Sequence, residues 1–385
     1  MEFGKIIIFI QGGKHEMNRK VLGFAAAALA AVSIAACGGS SAAPETTKAA
    51  ETTAAPETTK APETTKAPET TKAAETETEK AEETTAAAEE GYTLRVGALK
   101  GPTTMGLVNL MKASENGEAE GSYQLDVQTQ PDLLLAPMAS GDMDIALIPA
   151  NVASVLYNKT EGKISAIDIN TLGVLYCVTG DESIGSVKDL AGKTVITTGQ
   201  GATPEYAMNY LLEKYEVEDC RLEFKSEAQE IAAVLKEDPS RIAVLPQPFA
   251  TAAMIQNEEL KEAFSLSDEW MALDDGSMLI TGVTVVRNQV LEEHRDEVLT
   301  FLKEHAASVQ KAADDVSGTA ALVAEYGIIE KAPVAEKALP KCNIVCISGE
   351  DLKYALSGYL KTLFDQNPKA VGGALPEDGF YFSAE

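Results

Sequence analysis

The sequence predicts an α/β fold from Thr93 onward, and two observations support this prediction. Short apolar segments with the length of strands alternate with longer segments whose apolar residues have the spacing of amphipathic helices. Several predicted strands also run directly into small or polar residues that open a helix, as strands do in βαβ units. The folded part therefore begins near Tyr92, and its length suits one or two domains.

The predicted strands, in chain order, are TLRVGAL, YQLDVQT, MDIALIP, LGVLYCVT, KTVITT, RLEFK, RIAVLP and MLITGVTVVR. The helices predicted between them are MGLVNLMK, DLLLAPMAS, NVASVLYN, PEYAMNYLLEKY, AQEIAAVLKE and FATAAMIQ. After Asn288 the pattern becomes mostly helical and ends in EDLKYALSGYLKTLFDQN and a short aromatic tail, GFYF. The helices have apolar residues at helical spacing, which is the basis for each of these assignments.

A secretion signal is predicted at residues 1–37. From Met17, the basic pair Arg19 and Lys20 precedes a mostly apolar run that is too short for a membrane span and stops just before Cys37. The residues before this cysteine resemble the lipobox of bacterial lipoproteins, in which the cysteine is diacylated and becomes the new N-terminus. The segment before Met17 fits no part of such a signal, and Met17 is therefore the predicted start of translation.

Residues 38–91 form a low-complexity segment in which the unit APETTK appears at Ala43, Ala55, Ala61 and Ala67. So short a repeat, without large apolar residues, cannot bury a face and form a solenoid. We expect a disordered, solvated spacer that carries the folded part away from the membrane.

The chain has a net charge of −27, and most of the negative charge lies outside the leader and the spacer. Such an acidic surface disfavours nucleic acid and anionic lipid as partners. No cofactor is indicated by any motif.

The cysteines and histidines predict no metal site and no catalytic imidazole. The CNIVC segment contains the β-branched pair Ile344 and Val345, which is typical of a strand. In a strand, Cys342 and Cys346 would lie about 13 Å apart, too far for a disulfide. Cys177, Cys220 and this pair are therefore expected to be small buried hydrophobes. His294 and His305 both fall in a predicted helix with a charged surface stripe, VLEEHRDEVLTFLKEHAASV.

Four strand ends share a property that points to a binding site: each runs into small or polar residues that open a helix. Ligands of open α/β sheets bind beyond the carboxyl ends of the strands, where helix N-termini and hydroxyls can hold an anionic or polar group. The residues of these junctions that are predicted to contact a ligand are Gly101, Pro102, Thr103, Thr104, Met105, Pro149, Ala150, Asn151, Thr198, Gly199, Gln200, Gly201, Ala202, Thr203 and Gln247.

Each junction also has a simpler interpretation. Thr103 or Thr104 would serve as a helix cap, and the Gly199-Gln200-Gly201 segment would be a turn. The latter is neither a dinucleotide fingerprint, since its third glycine is missing, nor a Walker loop, since no Gly-Lys-Thr follows. The occurrence of four such junctions in one chain with an export signal favours a binding site.

Three segments resemble the nitrate/sulfonate/taurine-type substrate-binding proteins of ABC transporters, which have the periplasmic-binding-protein type II fold. They are MASGDMDIALIPANVASVLYNK, SVKDLAGKTVITTGQGATPEYAMNYLLEKY and VLPQPFATAA, and the resemblance covers residues 93–366. It implies two α/β lobes joined by two crossover strands, with the ligand cleft between the lobes. Residues 92–172 and 288–385 would form lobe 1, and residues 173–287 would form lobe 2 with the crossover strands.

The resemblance implies a monomeric binding protein and not an enzyme. It would be anchored to the outer face of the bacterial cytoplasmic membrane through the lipid on Cys37, and would deliver a small molecule to an ABC permease and its ATPase. Members of the family often have a glutamate where this chain has the neutral Gln247. If this position faces the cleft, a carboxylate that would repel an anionic ligand is absent. A sulfonate, an oxyanion and a heterocyclic nutrient such as a pyrimidine precursor all remain open.

Two other functions are compatible with such a chain. Some menaquinone-pathway enzymes resemble this fold, although they are cytoplasmic, and no Ser-His or Cys-His pairing is evident here. An extracytoplasmic sensor or adhesin on the same fold is the other alternative.

Overall fold

The structure, a computed structural model, describes residues 8–10, 13–15 and 91–383. In the leader it defines two antiparallel strands, β1 (Ile8–Ile10) and β2 (Gly13–His15). The predictions for Cys37, for the lipobox and for the spacer at 38–91 lie outside the described residues. None of the helices in the described part of the chain combines the length and the apolar character that crossing a membrane requires.

The remaining strands form two sheets. They are β3 (Thr93–Leu99), β4 (Ser122–Gln128), β5 (Ile145–Pro149), β6 (Ile164–Leu172), β7 (Leu175–Thr179), β8 (Thr194–Thr197), β9 (Arg221–Phe224), β10 (Ile242–Pro246), β11 (Lys261–Ser265), β12 (Ile280–Arg287) and β13 (Ile344–Ile347). The first sheet has the order β13-β6-β12-β5-β3-β4 and the second the order β11-β7-β10-β8-β9. We call the two halves built on these sheets the first lobe and the second lobe.

Thirteen α-helices follow or connect these strands within the described residues. They are α1 (Pro102–Met105), α2 (Val108–Glu115), α3 (Asp132–Ser140), α4 (Ala150–Lys159), α5 (Thr203–Lys214), α6 (Ala228–Glu237), α7 (Phe249–Gln256), α8 (Leu266–Met271), α9 (Asn288–Glu293), α10 (Arg295–Asp314), α11 (Val316–Glu325), α12 (Ala332–Ala338) and α13 (Gly349–Gln366). The mostly helical region predicted after Asn288 is confirmed.

The parallel strands of each sheet end at the same edge. In the first lobe β3 pairs in parallel with β4 and β5, and in the second lobe β8 pairs in parallel with β9 and β10. Helices α1, α4, α5 and α7 begin soon after β3, β5, β8 and β10, so all four predicted junctions lie at carboxyl ends of parallel strands. This is the position where open α/β sheets bind ligands.

The chain passes from the first sheet to the second between Leu172 and Leu175, and it returns before β12. The sequence predicted one strand, LGVLYCVT, across the first of these passages. In the structure that segment is divided between two sheets, because β6 ends at Leu172 and β7 begins at Leu175. The strand β12, at the end of the range assigned to lobe 2, pairs with β5 and β6 of the first sheet.

The first predicted helix is also different in the structure. The segment MGLVNLMK was expected to be one helix, but α1 ends at Met105 and α2 begins at Val108, so that Gly106 and Leu107 separate two helices. Both are buried, and a Cβ on Gly106 would lie 2.7 Å from Cγ2 of Ile344 on β13. The close approach of β13 at this point requires a glycine.

Asp144, in the GDMDIA segment, ties three strands of the first lobe together. Its carboxylate is fully buried and accepts hydrogen bonds from the backbone amide of Arg95 at 2.9 Å, from Nη2 of Arg95 at 2.6 Å and from Nη2 of Arg287 at 2.9 Å. Arg95 lies on β3 and Arg287 ends β12, while Asp144 directly precedes β5. The segment therefore has a structural role.

The two lobes share an apolar core around helix α13. The ring of Trp270 stacks on Tyr210 of α5, with centroids 4.1 Å apart, and lies 6.1 Å from Tyr359 of α13. At the end of α13, Nε2 of Gln366 donates to the carbonyl of Tyr206, and Nδ2 of Asn367 donates to the Tyr206 hydroxyl. The last long helix therefore holds the beginning of α5 in the second lobe.

Candidate functional site

The first junction of the candidate site follows β3. Gly101 adopts φ 141° and is the N-cap of α1, and neither threonine side chain caps the helix. The hydroxyls of Thr103 and Thr104 instead donate to the carbonyl oxygen of Leu99, at 2.8 and 2.6 Å. The prediction that one of them is a helix cap is therefore wrong: both hydroxyl protons go back to the strand, and only their lone pairs remain for a ligand.

The second junction lies beside the first. Pro149, at the end of β5, pairs with Gly282 of β12. A Cβ on Gly282 would lie 2.4 Å from Cγ2 of Thr103 and 2.4 Å from Oδ1 of Asn170, so both side chains lie over this glycine. The structure thus brings the residues predicted at 101–105 and at 149–151 together on one edge of the first sheet.

Because the two threonine hydroxyls share one acceptor, their contributions to stability should not add. We expect Thr103→Val or Thr104→Val alone to lower the free energy of unfolding by about 1 kcal/mol or less, since the other hydroxyl still serves Leu99. The double variant should lose at least about 0.5 kcal/mol more than the sum of the two. Urea unfolding of the four proteins measures this coupling, and additive losses would contradict it.

The third junction is the loop between β8 and α5. Gly199 and Gly201 have φ values of 75° and 73°, a conformation that glycine adopts without strain. The amide of Gly201 donates to the carboxylate of Glu205, and the Tyr206 hydroxyl donates to the carbonyl of Gly201 at 3.0 Å. The backbone amide of Gly201, which was expected to bind a ligand, therefore already donates a hydrogen bond to Glu205 in the first turn of α5.

The fourth junction contributes Gln247, which follows β10 and is 2% exposed. The backbone amide and the hydroxyl of Thr251 both donate to its Oε1, at 3.4 and 2.8 Å, and this fixes the orientation of the side-chain amide. Nε2 is then left buried without a hydrogen-bond partner. A buried donor without an acceptor is costly, so Gln247 is suited to bind an oxygen supplied by a ligand.

The other predicted residues differ in exposure. Met105 and Ala150 are buried, Gln200 and Gly201 are exposed, and the rest are half-buried: Gly101, Pro102, Pro149, Asn151, Thr198, Gly199, Ala202 and Thr203. Within residues 91–383, no hydrogen bond joins the predicted residues of the first lobe to those of the second. The structure therefore forms two separate groups, one at each sheet edge.

A buried polar network in the first lobe was not predicted from the sequence. Thr284 donates to Oδ1 of Asp168 at 2.8 Å, and Asn170 donates to the hydroxyl of Thr284 at 3.2 Å. Oδ2 of Asp168 lies 3.1 Å from Nδ1 of His305. This network extends from Asn170, beside Thr103, into the interior between the first sheet and α10.

The prediction of a surface position for His305 is wrong. Its side chain is 0% exposed, because it lies on the same face of α10 as Phe301 and Val298, four and seven residues earlier. That helical spacing was the signal that could have shown its burial. His294 is the N-cap residue of α10, and its ring stacks on Tyr92.

All four cysteines of the described region are free thiols. Cys177 and Cys342 are buried as expected, whereas Cys220 and Cys346 are only half-buried as whole residues. Only part of the strand predicted for CNIVC is confirmed: β13 begins at Ile344, so Cys342 lies before the strand and Cys346 within it. Burial raises the pKa of the Cys346 thiol well above its usual value, and the nearby carboxylate of Asp168 adds to this effect. Such a thiol is a poor nucleophile.

The architecture is similar to that of proteins whose structures have been solved. No protein-family model matches the sequence, and no curated protein does so. An ABC transporter protein from Parabacteroides distasonis is 25% identical, with a TM-score of 0.65, over 76% of this chain and 99% of that protein. The periplasmic aliphatic sulphonate-binding protein SsuA from Escherichia coli is 15% identical, with a TM-score of 0.59, over 76% of this chain and 94% of SsuA.

The chain has the periplasmic-binding-protein type II fold. The α/β class and the family resemblance that the sequence indicated are thereby confirmed, since these neighbours are ABC transporter and sulphonate-binding proteins. The periplasmic-binding-protein type II fold also occurs in the desulfurization enzyme DSZB, which is 13% identical, with a TM-score of 0.56, over 76% of this chain and 96% of DSZB. The fold alone therefore does not separate binding proteins from enzymes.

Proposed function

We propose that this chain is an extracytoplasmic solute-binding protein, which captures a small polar or anionic molecule between its lobes and delivers it to an ABC importer. Structural neighbours that include an ABC transporter protein and a sulphonate-binding protein support this role. The observation that carries the proposal is the buried, oriented and unpartnered Nε2 of Gln247 at a carboxyl edge of the second sheet.

The chemistry of the two sheet edges favours a ligand with hydrogen-bond acceptors and a modest negative charge. Gln247 offers a donor. Thr103 offers only lone pairs, because its proton is used by Leu99, and Thr104 is fully buried. A sulfonate or carboxylate group of the ligand would accept a hydrogen bond from Gln247. A hydrogen-bond donor elsewhere on the same ligand would pair with the acceptor in the first lobe. Glu205 already holds the amide of Gly201, which disfavours a second anionic group at that loop.

A thermal-shift screen of the purified protein tests this function. The screen compares alkanesulfonates, inorganic oxyanions, amino acids and pyrimidines at increasing concentration. A true ligand binds only the folded state, so the melting temperature should rise as its concentration exceeds its dissociation constant. If no compound raises the melting temperature, and native mass spectrometry finds no co-purified small molecule, the binding role is contradicted.

Two substitutions at Gly201 separate backbone strain from obstruction of the site. The residue is exposed, and a Cβ there would meet no atom within 4 Å, so alanine and tryptophan impose the same φ penalty without a clash. If this loop lines the ligand, we expect Gly201→Trp to weaken binding at least about tenfold more than Gly201→Ala. Isothermal titration of the two variants measures the difference, and equal affinities would show that the loop does not line the site.

We further propose that the folded part is tethered to the outer face of the cytoplasmic membrane through a lipid on Cys37, with residues 38–91 as the spacer. The apolar run that ends at this cysteine supports the proposal. Residues 92–172 and 288–385 would form lobe 1 and residues 173–287 would form lobe 2 with the crossover strands, of which β12 returns to the first sheet, in a monomer. The wild type should incorporate labelled fatty acid and a Cys37→Ala variant should not, and equal incorporation by the two proteins would contradict the anchor.

The enzyme DSZB makes catalysis the second candidate for this fold, and one cluster in the chain has suitable residue types. Cys346, His305 and Asp168 lie together, as in a Cys-His-Asp triad. His305 and Asp168 are 0% exposed, and Nε2 of His305 has no hydrogen-bond partner, so the thiol is not paired with it. Since burial also raises the pKa of the thiol, this cluster supports the binding role over nucleophilic catalysis.

A further inference from the structure

The cluster of Asp168, His305 and Cys346 joins three elements of the first lobe. Asp168 lies on β6, Cys346 on the neighbouring edge strand β13 and His305 on α10. One donor atom from each residue lies within 4.8 Å of the donor atoms of the other two. No local sequence motif brings them together, since 137 positions separate Asp168 from His305, so the fold itself assembles the cluster.

The local geometry of β13 directs the thiol into this cluster. The strand pairs with β6 through Ile344 and Ile347, and the register shifts between these two residues, where Cys346 lies. Such irregularities re-aim a side chain, and they occur often beside functional sites. On the opposite side Thr284 donates to Oδ1 of Asp168, which leaves Oδ2 directed at the imidazole.

The cluster contains a buried acid with few partners. Asp168 is a fully buried acid, and among the described residues it receives no hydrogen bond from a lysine or an arginine. Nδ1 of His305 is its only partner that can carry a positive charge. A buried carboxylate has to be paired, neutralised or bound to a metal, and a metal ion is the partner for which the neighbouring imidazole and thiol are also suitable ligands.

We propose that Asp168, His305 and Cys346 bind one divalent transition-metal ion of the zinc class, through a carboxylate oxygen, Nδ1 and Sγ. Carboxylate, imidazole and thiolate are the three ligand types that zinc accepts, and a divalent ion with one carboxylate and one thiolate has no net charge to bury. Ligands of a tetrahedral zinc ion lie about 3.3 to 3.8 Å apart, given metal–ligand distances of about 2.0 to 2.3 Å. The observed separations of 3.1 Å and at most 4.8 Å require only small side-chain movements.

This inference reverses the expectation that the chain has no metal site, which rested on placing His305 at the surface. Thr284 would act on the metal through Asp168, because its hydrogen bond fixes the orientation of the carboxylate. The ion would join β6, β13 and α10, and would therefore stabilise the first lobe. The proposal does not depend on the transport role, since none of the three ligands belongs to the residues assigned to solute binding.

Cobalt(II) is the probe for this site, because thiolate ligation gives it a strong charge-transfer band in the near ultraviolet. The full chain is unfolded in denaturant with reductant and refolded with Co²⁺, so that the buried site can fill as it forms. The excess metal is then removed by gel filtration. We expect the band and about one retained ion per chain. If the wild-type protein shows no band and retains no metal after this procedure, the proposal is overturned.

Two variants locate the site. Cys346→Ala should lose the band and retain less than about a tenth of the metal, whereas Cys342→Ala, a buried thiol four positions earlier and outside the cluster, should behave like the wild type. Circular dichroism of both variants checks that they fold. Equal retention by Cys346→Ala and the wild type would overturn the proposal. If that variant does not fold, Cys346→Ser, which keeps the size of the side chain and removes the thiolate, replaces it with the same expected loss of the band.

Discussion

Gln247→Glu should weaken the binding of an anionic ligand at least about 100-fold, or by about 2.7 kcal/mol. The new carboxylate keeps both hydrogen bonds from Thr251, since these go to Oε1, and it therefore fits the fold. Its second oxygen replaces the free Nε2, so a buried donor becomes a buried negative charge, which would face the ligand proposed to bind there. Loss of a charge-assisted hydrogen bond and like-charge repulsion then act together.

The matched control for this substitution is Gln247→Met, which removes the donor, keeps a similar length and adds no charge. We expect it to weaken binding about tenfold, because the hydrogen bond to the ligand is lost without like-charge repulsion. Methionine also removes the acceptor of Thr251, so urea unfolding of this variant checks that the local fold is kept. Isothermal titration with an alkanesulfonate, or with the best compound of the thermal-shift screen, gives both affinities. If Gln247→Glu binds an anionic ligand as tightly as the wild type, Gln247 does not contact it, and the second-lobe site is elsewhere.

Asp144→Ala should lower the free energy of unfolding by about 3 to 5 kcal/mol. The buried carboxylate holds the side chains of Arg95 and Arg287, and its loss leaves both guanidinium groups without their main acceptor. Asp142→Ala is the control, because Asp142 is exposed and lies two residues earlier in the same segment. We expect that change to stay within about 0.5 kcal/mol. A loss below 1 kcal/mol for Asp144→Ala in urea unfolding would contradict the prediction.

The same carboxylate predicts how stability depends on pH. Burial alone would raise the pKa of Asp144, but the hydrogen bonds from Arg95 and Arg287 outweigh burial and hold this pKa below its usual value. Its contribution is therefore fully present above the unfolded pKa of about 3.9, and it is lost as the pH falls through the lower folded value. The stability difference between wild type and Asp144→Ala should be constant from pH 7 to 5 and shrink below about pH 4. A difference that grows in acid would contradict this assignment.

Much of the fold could be predicted because the apolar residues of its helices and parallel strands recur at the spacing typical of each element. The predicted bounds of β3, α3, α6 and α7 agree with the structure residue by residue. The strand β6 could not be found in this way. It is buried along its whole length, yet it contains Asp168 and Asn170, whose polarity is acceptable only because distant residues supply their hydrogen bonds.

The candidate site was predictable in position but not in chemistry. Small residues after a strand indicate where a ligand can approach, and the four junctions do lie at carboxyl ends of parallel strands. The hydrogen-bond partners of these residues depend on the exact course of the chain. The carboxylate of Glu205 accepts a hydrogen bond from the amide of Gly201. The carbonyl oxygen of Leu99, on β3, accepts hydrogen bonds from the hydroxyls of Thr103 and Thr104.

The order of the strands has a consequence for how the chain acquires its structure during synthesis. Every strand of the second sheet comes from one continuous stretch, from Leu175 to Ser265, so this sheet can form as soon as that stretch has emerged. The first sheet must wait, because β12 lies between β5 and β6 and is made more than a hundred residues after them. Until Arg287 has emerged, the edges of β5 and β6 that pair with β12 have no partner, and such unpaired strand edges expose the nascent chain to aggregation.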